Sequence, residues 1–191
     1  MPSLVGSEMC IRDSINSDVS VFFNTGMVEK APIMDNVIYF DGTVASDPAN
    51  EKFLHNEFGV NYRFGKLGIN ASAYNTDWQD RNLTKSVTTG QGDSGDTDVI
   101  FLTGVNQKHS GVELETNYMV NDMLDLMFVA SFGNWKFDGD ANGNYQETEY
   151  NSEGQAVGYK TTEYAYALDG LYVGDMPPVS YTHLRAHETR H

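Results

Sequence analysis

The sequence predicts an all-β fold, namely part of an antiparallel up-and-down transmembrane β-barrel with about six strands. Three observations carry this prediction. Apolar and polar residues alternate strictly over two long stretches, a tight turn interrupts each stretch, and long polar segments separate the stretches. Short turns on one side of the membrane and longer loops on the other are typical of outer-membrane barrels.

The two termini carry residues that we exclude from the fold. A DNA string that encodes Ser180–His183, TCTTATACACAT, has the reverse complement ATGTGTATAAGA, which encodes Met9–Arg12. Two protein segments have no physical reason to be antisense copies of each other, and the string resembles the transposase adapter of short-read sequencing libraries. We therefore predict that residues 1–14 and 179–191 are adapter-derived and that residues 15–178 are native barrel sequence.

The composition excludes several classes of protein. The formal net charge of −15 argues against a nucleic-acid partner, because phosphate binding requires a basic surface. No apolar run approaches the 18 or so residues that a transmembrane helix needs. Abundant aromatic residues, together with many Gly, Asn, Thr and Asp residues, are typical of strands joined by turns.

The first predicted strand covers Asp18 to Asn24, and the first hairpin covers Asn56 to Trp78. A two-residue turn at Gly65-Lys66 that opens with glycine suits a type II′ hairpin turn. This turn pairs apolar residues only, namely Phe64 with Leu67, Tyr62 with Ile69, Val60 with Ala71 and Phe58 with Ala73.

The second predicted hairpin covers Gly111 to Trp135. A two-residue turn at Asn121-Asp122 would mix the apolar and polar faces, so we expect a three-residue loop, Val120 to Asp122, with Asn121 or Asp122 in the left-handed conformation. The resulting pairs are Tyr118 with Leu124, Thr116 with Leu126, Leu114 with Phe128 and Val112 with Ala130. Further expected strands are Val99 to Leu102, continuing toward Gly111, and Thr161 to Val173; the long loops are Thr25 to Asn56, Thr76 to Asp98 and Asp138 to Tyr159.

Aromatic residues gather toward the strand ends, as the interface girdles of a membrane barrel require. The alternative from pattern alone is a soluble or adhesive β-sandwich that acts as a binding module, because its strands alternate in the same way. A passive porin, which is a membrane barrel without an energy source, is a further alternative. The aromatic residues in question are Tyr62, Phe64, Tyr74, Trp78, Tyr118 and Trp135.

The sequence offers no catalytic constellation, and we expect no enzyme. Glu113 and Glu115 share one strand face, where they are interpreted as polar lining of a wet lumen, because no catalytic partner is placed near them. Arg63 and Glu57 belong to the same lining. His55 and His109 are isolated in the sequence and are interpreted as loop residues that form hydrogen bonds.

One segment matches the calcium-loop pattern D-x-[DN]-x-[DN]-G-x₅-E, in which side-chain and backbone oxygens surround the ion. A solvated loop accounts for the same composition, and the flanks indicate strands rather than paired helices. A Ca²⁺ ion in an extracellular loop is therefore a hypothesis, and the sequence assigns no other metal, cofactor or ligand-binding residue. The candidate ligands are Asp138, Asp140, Asn142, Asn144 and Glu149.

Several stretches together resemble the TonB-dependent receptor family. In chain order they are Asn24-Thr25-Gly26, Ala31-Pro32, Asp35-Asn36-Val37, Tyr74-Asn75-Thr76-Asp77-Trp78-Gln79-Asp80-Arg81, Gly111-Val112-Glu113-Leu114-Glu115, Gly133-Asn134-Trp135-Lys136 and Leu171-Tyr172-Val173-Gly174-Asp175-Met176-Pro177-Pro178.

The resemblance implies the later half of a barrel of about twenty-two strands in the cell outer membrane. It also implies a plug domain, a TonB complex as partner, contact with outer-membrane lipid, and import of a ferric siderophore or other iron source, cobalamin, haem or a glycan. The plug and the TonB box are expected to lie outside this sequence.

Overall fold

The strands form one antiparallel sheet, as the alternation of apolar and polar residues predicts. The computed structural model describes residues 4–34, 37–39, 41–45, 48–89, 96–174 and 179–186, and among them no helix is long and apolar enough to cross a membrane. The described strands are β1 (Leu4–Ser14), β2 (Val19–Lys30), β3 (Glu51–Phe64), β4 (Leu67–Thr89), β5 (Asp96–Asn121), β6 (Leu124–Phe137), β7 (Ala141–Tyr150), β8 (Ala156–Tyr166) and β9 (Val179–Ala186).

The sheet is open, and its main path runs β1-β2-β3-β4-β5-β6-β9. A separate hairpin, β7 and β8, joins this path where β7 pairs with the first part of β5. The predicted all-β antiparallel fold is confirmed. Seven strands, β2 to β8, lie within residues 15–178, in agreement with the expected number of about six. The strand that was not expected, β7, comes from a segment that was predicted to be a loop.

The first hairpin has the predicted register. Phe64 pairs with Leu67, and the three further apolar pairs follow without a shift. Gly65 has a φ of +55°, as the first position of a type II′ turn requires. The turn also touches the second hairpin, since Met119 N donates to Lys66 O at 3.0 Å. Both tight turns therefore lie at the same end of the sheet, as predicted.

The second hairpin differs from its predicted register by two residues. Tyr118 pairs with Leu126 rather than Leu124, because β5 carries an irregularity between Met119 and Asn121. The turn itself is Asp122-Met123, and Asn121 Oδ1 accepts a hydrogen bond from Met123 N at 2.9 Å. The expected left-handed residue is also wrong, since neither Asn121 nor Asp122 has a positive φ. A slip of two residues keeps every side chain on its face, so alternation alone could not detect it.

The sheet has one apolar face and one polar face from β2 to β6. On the apolar face large side chains stay exposed: the exposed fraction is 53% for Phe58, 51% for Val112 and 51% for Phe132. The tight-turn end of this face also carries Tyr62, Phe64 and Tyr118, as a girdle requires. The prediction is wrong for the other three girdle residues, because the register places them on the polar face: Tyr74, Trp78 and Trp135.

Two of the predicted long loops are largely strand. Strand β4 continues to Thr89 and β5 begins at Asp96, so the segment expected as a loop from Thr76 to Asp98 is mostly paired. The segment from Asp138 to Tyr159 contains all of β7 and the start of β8. Residues 81–89 and 96–105 together with β7 and β8 are called the outer extension below. The third loop is shorter than expected, since β2 continues to Lys30 and β3 begins at Glu51.

The remaining predicted strands have mixed outcomes. The strand expected from Asp18 to Asn24 corresponds to the first part of β2, which begins at Val19, and Val99 to Leu102 does continue to Gly111 within β5. The strand expected from Thr161 to Val173 ends at Tyr166, and only an isolated bridge between Tyr172 and Lys136 follows. In the stretches that resemble the receptor family, Asp35, Asn36 and 175–178 lie outside the described residues.

The strands at both ends of the main path, β1 and β9, consist of residues predicted to be adapter-derived. They pair with β2 and β6 respectively through backbone hydrogen bonds. An unpaired sheet edge offers N–H and C=O groups to any extended chain, whatever its side chains. Their place in the sheet therefore does not bear on their origin, and the boundaries at residues 14 and 179 stay a prediction.

Candidate functional site

The two histidines that look isolated in the sequence lie in one row across the polar face. His55 in β3 and His109 in β5 both pair with Thr76 of β4, which lies between them. His55 Nδ1 is 2.7 Å from the hydroxyl oxygen of Thr76. Trp135 of β6 continues the row beside His109. The interpretation of both histidines as loop residues is wrong, because β3 and β5 extend further than predicted.

Six side chains with rings lie in this row or in the rows on either side of it, and we call them the aromatic band. Ring centroids are 5.8 Å apart for Phe53 and Trp78, 6.3 Å for His55 and Tyr74, and 6.2 Å for His109 and Trp135. All six residues are half-buried, so each remains partly accessible. The members of the band are Phe53, His55, Tyr74, Trp78, His109 and Trp135.

Two rings of the band lie over glycines of the sheet. A Cβ atom built on Gly111 would lie 2.6 Å from the Tyr74 hydroxyl oxygen, and one built on Gly133 would lie 2.7 Å from the Trp135 ring. The Trp135 indole N–H donates to the Tyr74 hydroxyl oxygen at 3.0 Å, which fixes the two rings relative to each other. The glycines are therefore needed for space, and they let the rings cover the backbone closely.

A distorted stretch of β4 places a cation beside the band. The pairing of β4 with β5 shifts on both sides of Arg81, and the preceding Asp80 has a φ of +54°. Bulges of this kind re-aim side chains. The Arg81 guanidinium lies 4.1 Å from the centre of the Trp78 ring, and its Nη1 donates to Gln107 Oε1 at 3.1 Å. Gln107 is 2% exposed and also lies 3.2 Å from His109 Nε2.

The four charged residues predicted to line a lumen lie on the polar face. Glu57 shares a row with Tyr74, directly beside the aromatic band, and accepts a hydrogen bond from Asn24 Nδ2 at 3.0 Å. Glu113 pairs with Ser72 one row further toward the tight turns. Glu115 and Arg63 lie nearer still to the turns. Carboxylates thus border the band on the tight-turn side.

The candidate calcium ligands do not form one cluster. In the part of the chain that the structure describes, no group of three or more His, Cys, Asp or Glu side chains could hold a metal ion. The Asp138 carboxylate pairs with Lys108 Nζ at 2.8 Å, and Asp140 Oδ1 accepts backbone N–H groups of Leu168 and Asp169. The other three candidates, Asn142, Asn144 and Glu149, lie in β7.

The glycine of the calcium pattern also has a different role from the expected one. Gly143 lies in β7 without a positive φ, so it makes no sharp turn. A Cβ at this position would lie 2.7 Å from both Leu102 Cδ2 and Tyr166 Cε2, so the residue provides space for packing. This placement speaks against an EF-hand-like loop, and the calcium site stays a hypothesis.

A cavity of about 390 Å³ lies on the polar face near the tight turns. Its walls include Arg63, Asn70 and Glu115, but also Arg12 and Ser14 of β1. The last two residues belong to the predicted adapter sequence, so this cavity depends on a strand that is not part of the predicted native segment. The aromatic band contains no adapter residue, and we therefore take the band as the candidate functional site.

Comparison with known proteins identifies one family. The family model described as TonB dependent receptor-like, beta-barrel matches residues 13–187. The matched range extends past residue 178, so it does not separate native from adapter residues. No curated protein and no solved structure matches the chain. Because the family model covers most of the sequence, the chain belongs to the TonB-dependent receptor family, and the protein is an outer-membrane receptor and transporter of β-barrel fold.

Proposed function

We propose that this receptor takes up a scarce nutrient by TonB-dependent transport, with a ferric siderophore, another iron source, cobalamin or a glycan as the class of ligand. The proposal rests on one observation: this member of the receptor family has a sheet with one apolar face and one polar face. One face exposes apolar side chains such as Phe58 and Phe132, and the other carries charged and aromatic side chains. Such a sheet suits a wall between lipid and a wet passage.

The apolar face meets outer-membrane lipid in this proposal. Monomeric soluble proteins rarely leave a contiguous apolar surface of this kind uncovered. A soluble or adhesive β-sandwich would need a second sheet packed about 10 Å away against that face. Among the described residues, the strands β2 to β6 carry no such second layer, since Val112 and Phe132 remain half exposed. The sandwich alternative is therefore not retained.

The aromatic band lies near the outer mouth of the passage. His55 is nine residues from Phe64, where β3 meets its tight turn, which corresponds to about 30 Å along the strand. A tilt of roughly 40° reduces this to a height comparable with the hydrocarbon layer. With the tight turns on the periplasmic side, an incoming ligand reaches the band before it reaches the lower wall.

The remaining steps of transport would need a plug domain and a partner that supplies energy. A plug domain would close the passage, and the TonB complex would supply energy from the proton gradient. The strands β2 to β6 contribute the wall, and the band contributes a contact surface on it. A passive porin is the second candidate, and it differs in needing no energy source.

Growth of a deletion strain tests the proposal. The gene is deleted in its source bacterium, and growth is measured on single iron sources, on limiting cobalamin and on single glycans. We expect growth to fail on one of these classes and to recover when the intact gene is restored. Restoration in a strain without TonB should have no effect. Recovery without TonB would indicate a passive porin, and normal growth of the deletion strain on every source would contradict the proposal.

A further inference from the structure

The aromatic band is laid out as a nearly continuous surface across the wall. It extends from Phe53 in β3 to Trp135 in β6, which is three strand spacings or about 15 Å. Phe22 of β2 extends the same arrangement, because its ring covers Gly59 as Tyr74 covers Gly111. A row of rings of this length can contact several rings of a ligand in succession.

The polar groups at the edge of these rings complete the surface. The Tyr74 hydroxyl and the Glu57 carboxylate belong to half-buried residues of one row and lie beside the rings. Thr76 and Gln107 are 4% and 2% exposed, and they hold His55 and His109 from within the sheet. Binding sites for small molecules combine an apolar or aromatic lining with a few well-placed polar groups. A pyranose ring matches this combination, because one of its faces presents C–H groups and its rim presents hydroxyl groups.

The charges on the polar face select against anionic ligands. Glu57 and Glu113 border the band on the tight-turn side. Glu51, beyond Phe53, is buried and pairs with Lys30, whose Nζ lies 3.5 Å from its carboxylate, so it adds no free charge to this border. The nearby cation, Arg81, already stacks on Trp78 and donates to Gln107. Like charges brought together without a counter-charge cost binding free energy. A ferric siderophore or haem with a negative charge would meet this border, whereas a neutral sugar would not.

From this geometry we propose that the aromatic band binds neutral pyranose oligosaccharides, with sugar rings stacked along Phe53, Tyr74 and Trp135. The inference rests on the proposed function and names the ligand class for the same passage. A purely structural band would have one of two roles. Its rings would serve only to cover glycines of the sheet, or a plug domain would pack against them. Both roles predict a structural effect of substitution without an effect on sugar binding.

Direct binding tests the inference without transport. The receptor as its gene encodes it is purified in detergent and applied to a broad array of neutral pyranose oligosaccharides, including β-1,4-glucans, xylans, mannans and α-glucans. A parallel arm uses ferric catecholate and hydroxamate siderophores. We expect one oligosaccharide group to bind, and isothermal titration calorimetry then measures its Kd. Binding of a siderophore but no neutral oligosaccharide, or of neither class, would overturn the inference.

Variants on the two faces of β6 assign the binding to the band. Trp135→Ala should raise the Kd roughly tenfold, because one stacking contact is lost. Trp135→Phe keeps a ring and should recover part of the affinity. Phe132→Ala is the matched control, since Phe132 lies on the apolar face of the same strand and should leave the Kd unchanged. An unchanged Kd for Trp135→Ala would contradict the inference.

Heat-dependent mobility in gels shows whether each variant is folded. A Trp135→Ala variant that unfolds, together with a Trp135→Leu variant that is folded, has no aromatic ring and binds like the parent, would assign Trp135 a structural role and overturn the inference. The outcome is separable from that of the proposed function. A growth defect on an iron source would support TonB-dependent uptake while contradicting sugar binding. Sugar binding combined with uptake that needs no TonB would support sugar binding by the band and contradict TonB-dependent uptake.

Discussion

The two halves of β5 place apolar side chains in opposite surroundings. In the outer extension Phe101 is fully buried, whereas in the half near the tight turns Val112 is 51% exposed. The outer half lies between β4 and β7, and Tyr39 packs on Phe101 with ring centroids 5.3 Å apart. The inner half belongs to a single-layered part of the sheet. Only the outer half of β5 therefore buries its apolar side chains within the protein.

Polar side chains hold the outer extension together as well. Asp98, which is 3% exposed, accepts hydrogen bonds from the Tyr145 hydroxyl and from Thr148 N. The bond to Asp98 raises the pKa of Tyr145 to about 12, because the carboxylate disfavours the phenolate. Asn144 Nδ2 donates to the Tyr39 hydroxyl oxygen at 2.9 Å. The segment predicted as a solvated loop is therefore a structured unit.

The largest expected effect comes from opening the core of the outer extension. Phe101→Ala should destabilise this unit by about 3–5 kcal/mol, because it leaves a cavity at a fully buried site. Hydrogen exchange followed by mass spectrometry should show faster exchange in β7 and β8 and unchanged exchange in β3. Phe128→Ala, at an exposed position of β6, is the control. Equal acceleration in β3 would mean that the two regions unfold as one unit.

The next largest effect is expected from charged substitutions on the two faces of the inner half of β5. Leu114→Arg should cost about 2–4 kcal/mol if the side chain lies near the middle of the bilayer. Asn117→Arg places the same charge on the polar face of the same strand and should cost much less. Val60 and Asn61 form a second such pair in β3. Equilibrium unfolding in lipid vesicles measures both costs, and similar losses on the two faces would refute lipid contact.

A smaller effect is expected from the glycines of the outer hairpin. Gly143→Ala should cost about 1–3 kcal/mol, because the new Cβ would approach Leu102 and Tyr166 to 2.7 Å. Gly158→Ala in β8 is the matched control, since nothing lies within 4 Å of its Cβ position. Limited proteolysis between β7 and β8 measures the difference. Comparable protease resistance in both variants would show that the hairpin is loosely packed.

The smallest expected effect concerns calcium. Three of the candidate ligands, Asp138, Asp140 and Asn144, are held by other groups, and Gly143 makes no turn. Glu149→Gln should therefore leave a calcium titration of the receptor unchanged. Calorimetry on the parent and the variant measures this directly. Calcium binding by the parent that the variant loses would establish the site and would require β7 to rearrange.

The register of the two hairpins shows how far alternation can be used for prediction. Gly65-Lys66 leaves one short turn that keeps apolar pairs together, and the observed register agrees. At the second hairpin two registers keep the same faces, and the irregularity after Met119 decides between them. A sequence pattern of period two cannot distinguish registers that differ by two residues.

The aromatic band was not predicted, although every one of its residues was visible. His55, Thr76 and His109 are 21 and 33 residues apart in sequence and become neighbours only when three strands align. The available signal was the position of Gly111 and Gly133 within predicted strands, since a glycine in a strand often marks a close approach. Which ring fills that space depends on the neighbouring strand.

The all-β fold, the two faces, the first tight turn and the family could be predicted from the sequence, because alternation and turn residues act over a few positions. The position of the second turn, the length of β4 and β5, the packing of β7 against Phe101 and the assembly of the band became visible only in the folded chain. These features depend on contacts between distant segments. A polar segment such as 138–159 forms strands when a neighbouring edge supplies hydrogen-bond partners, and its own composition does not reveal that edge.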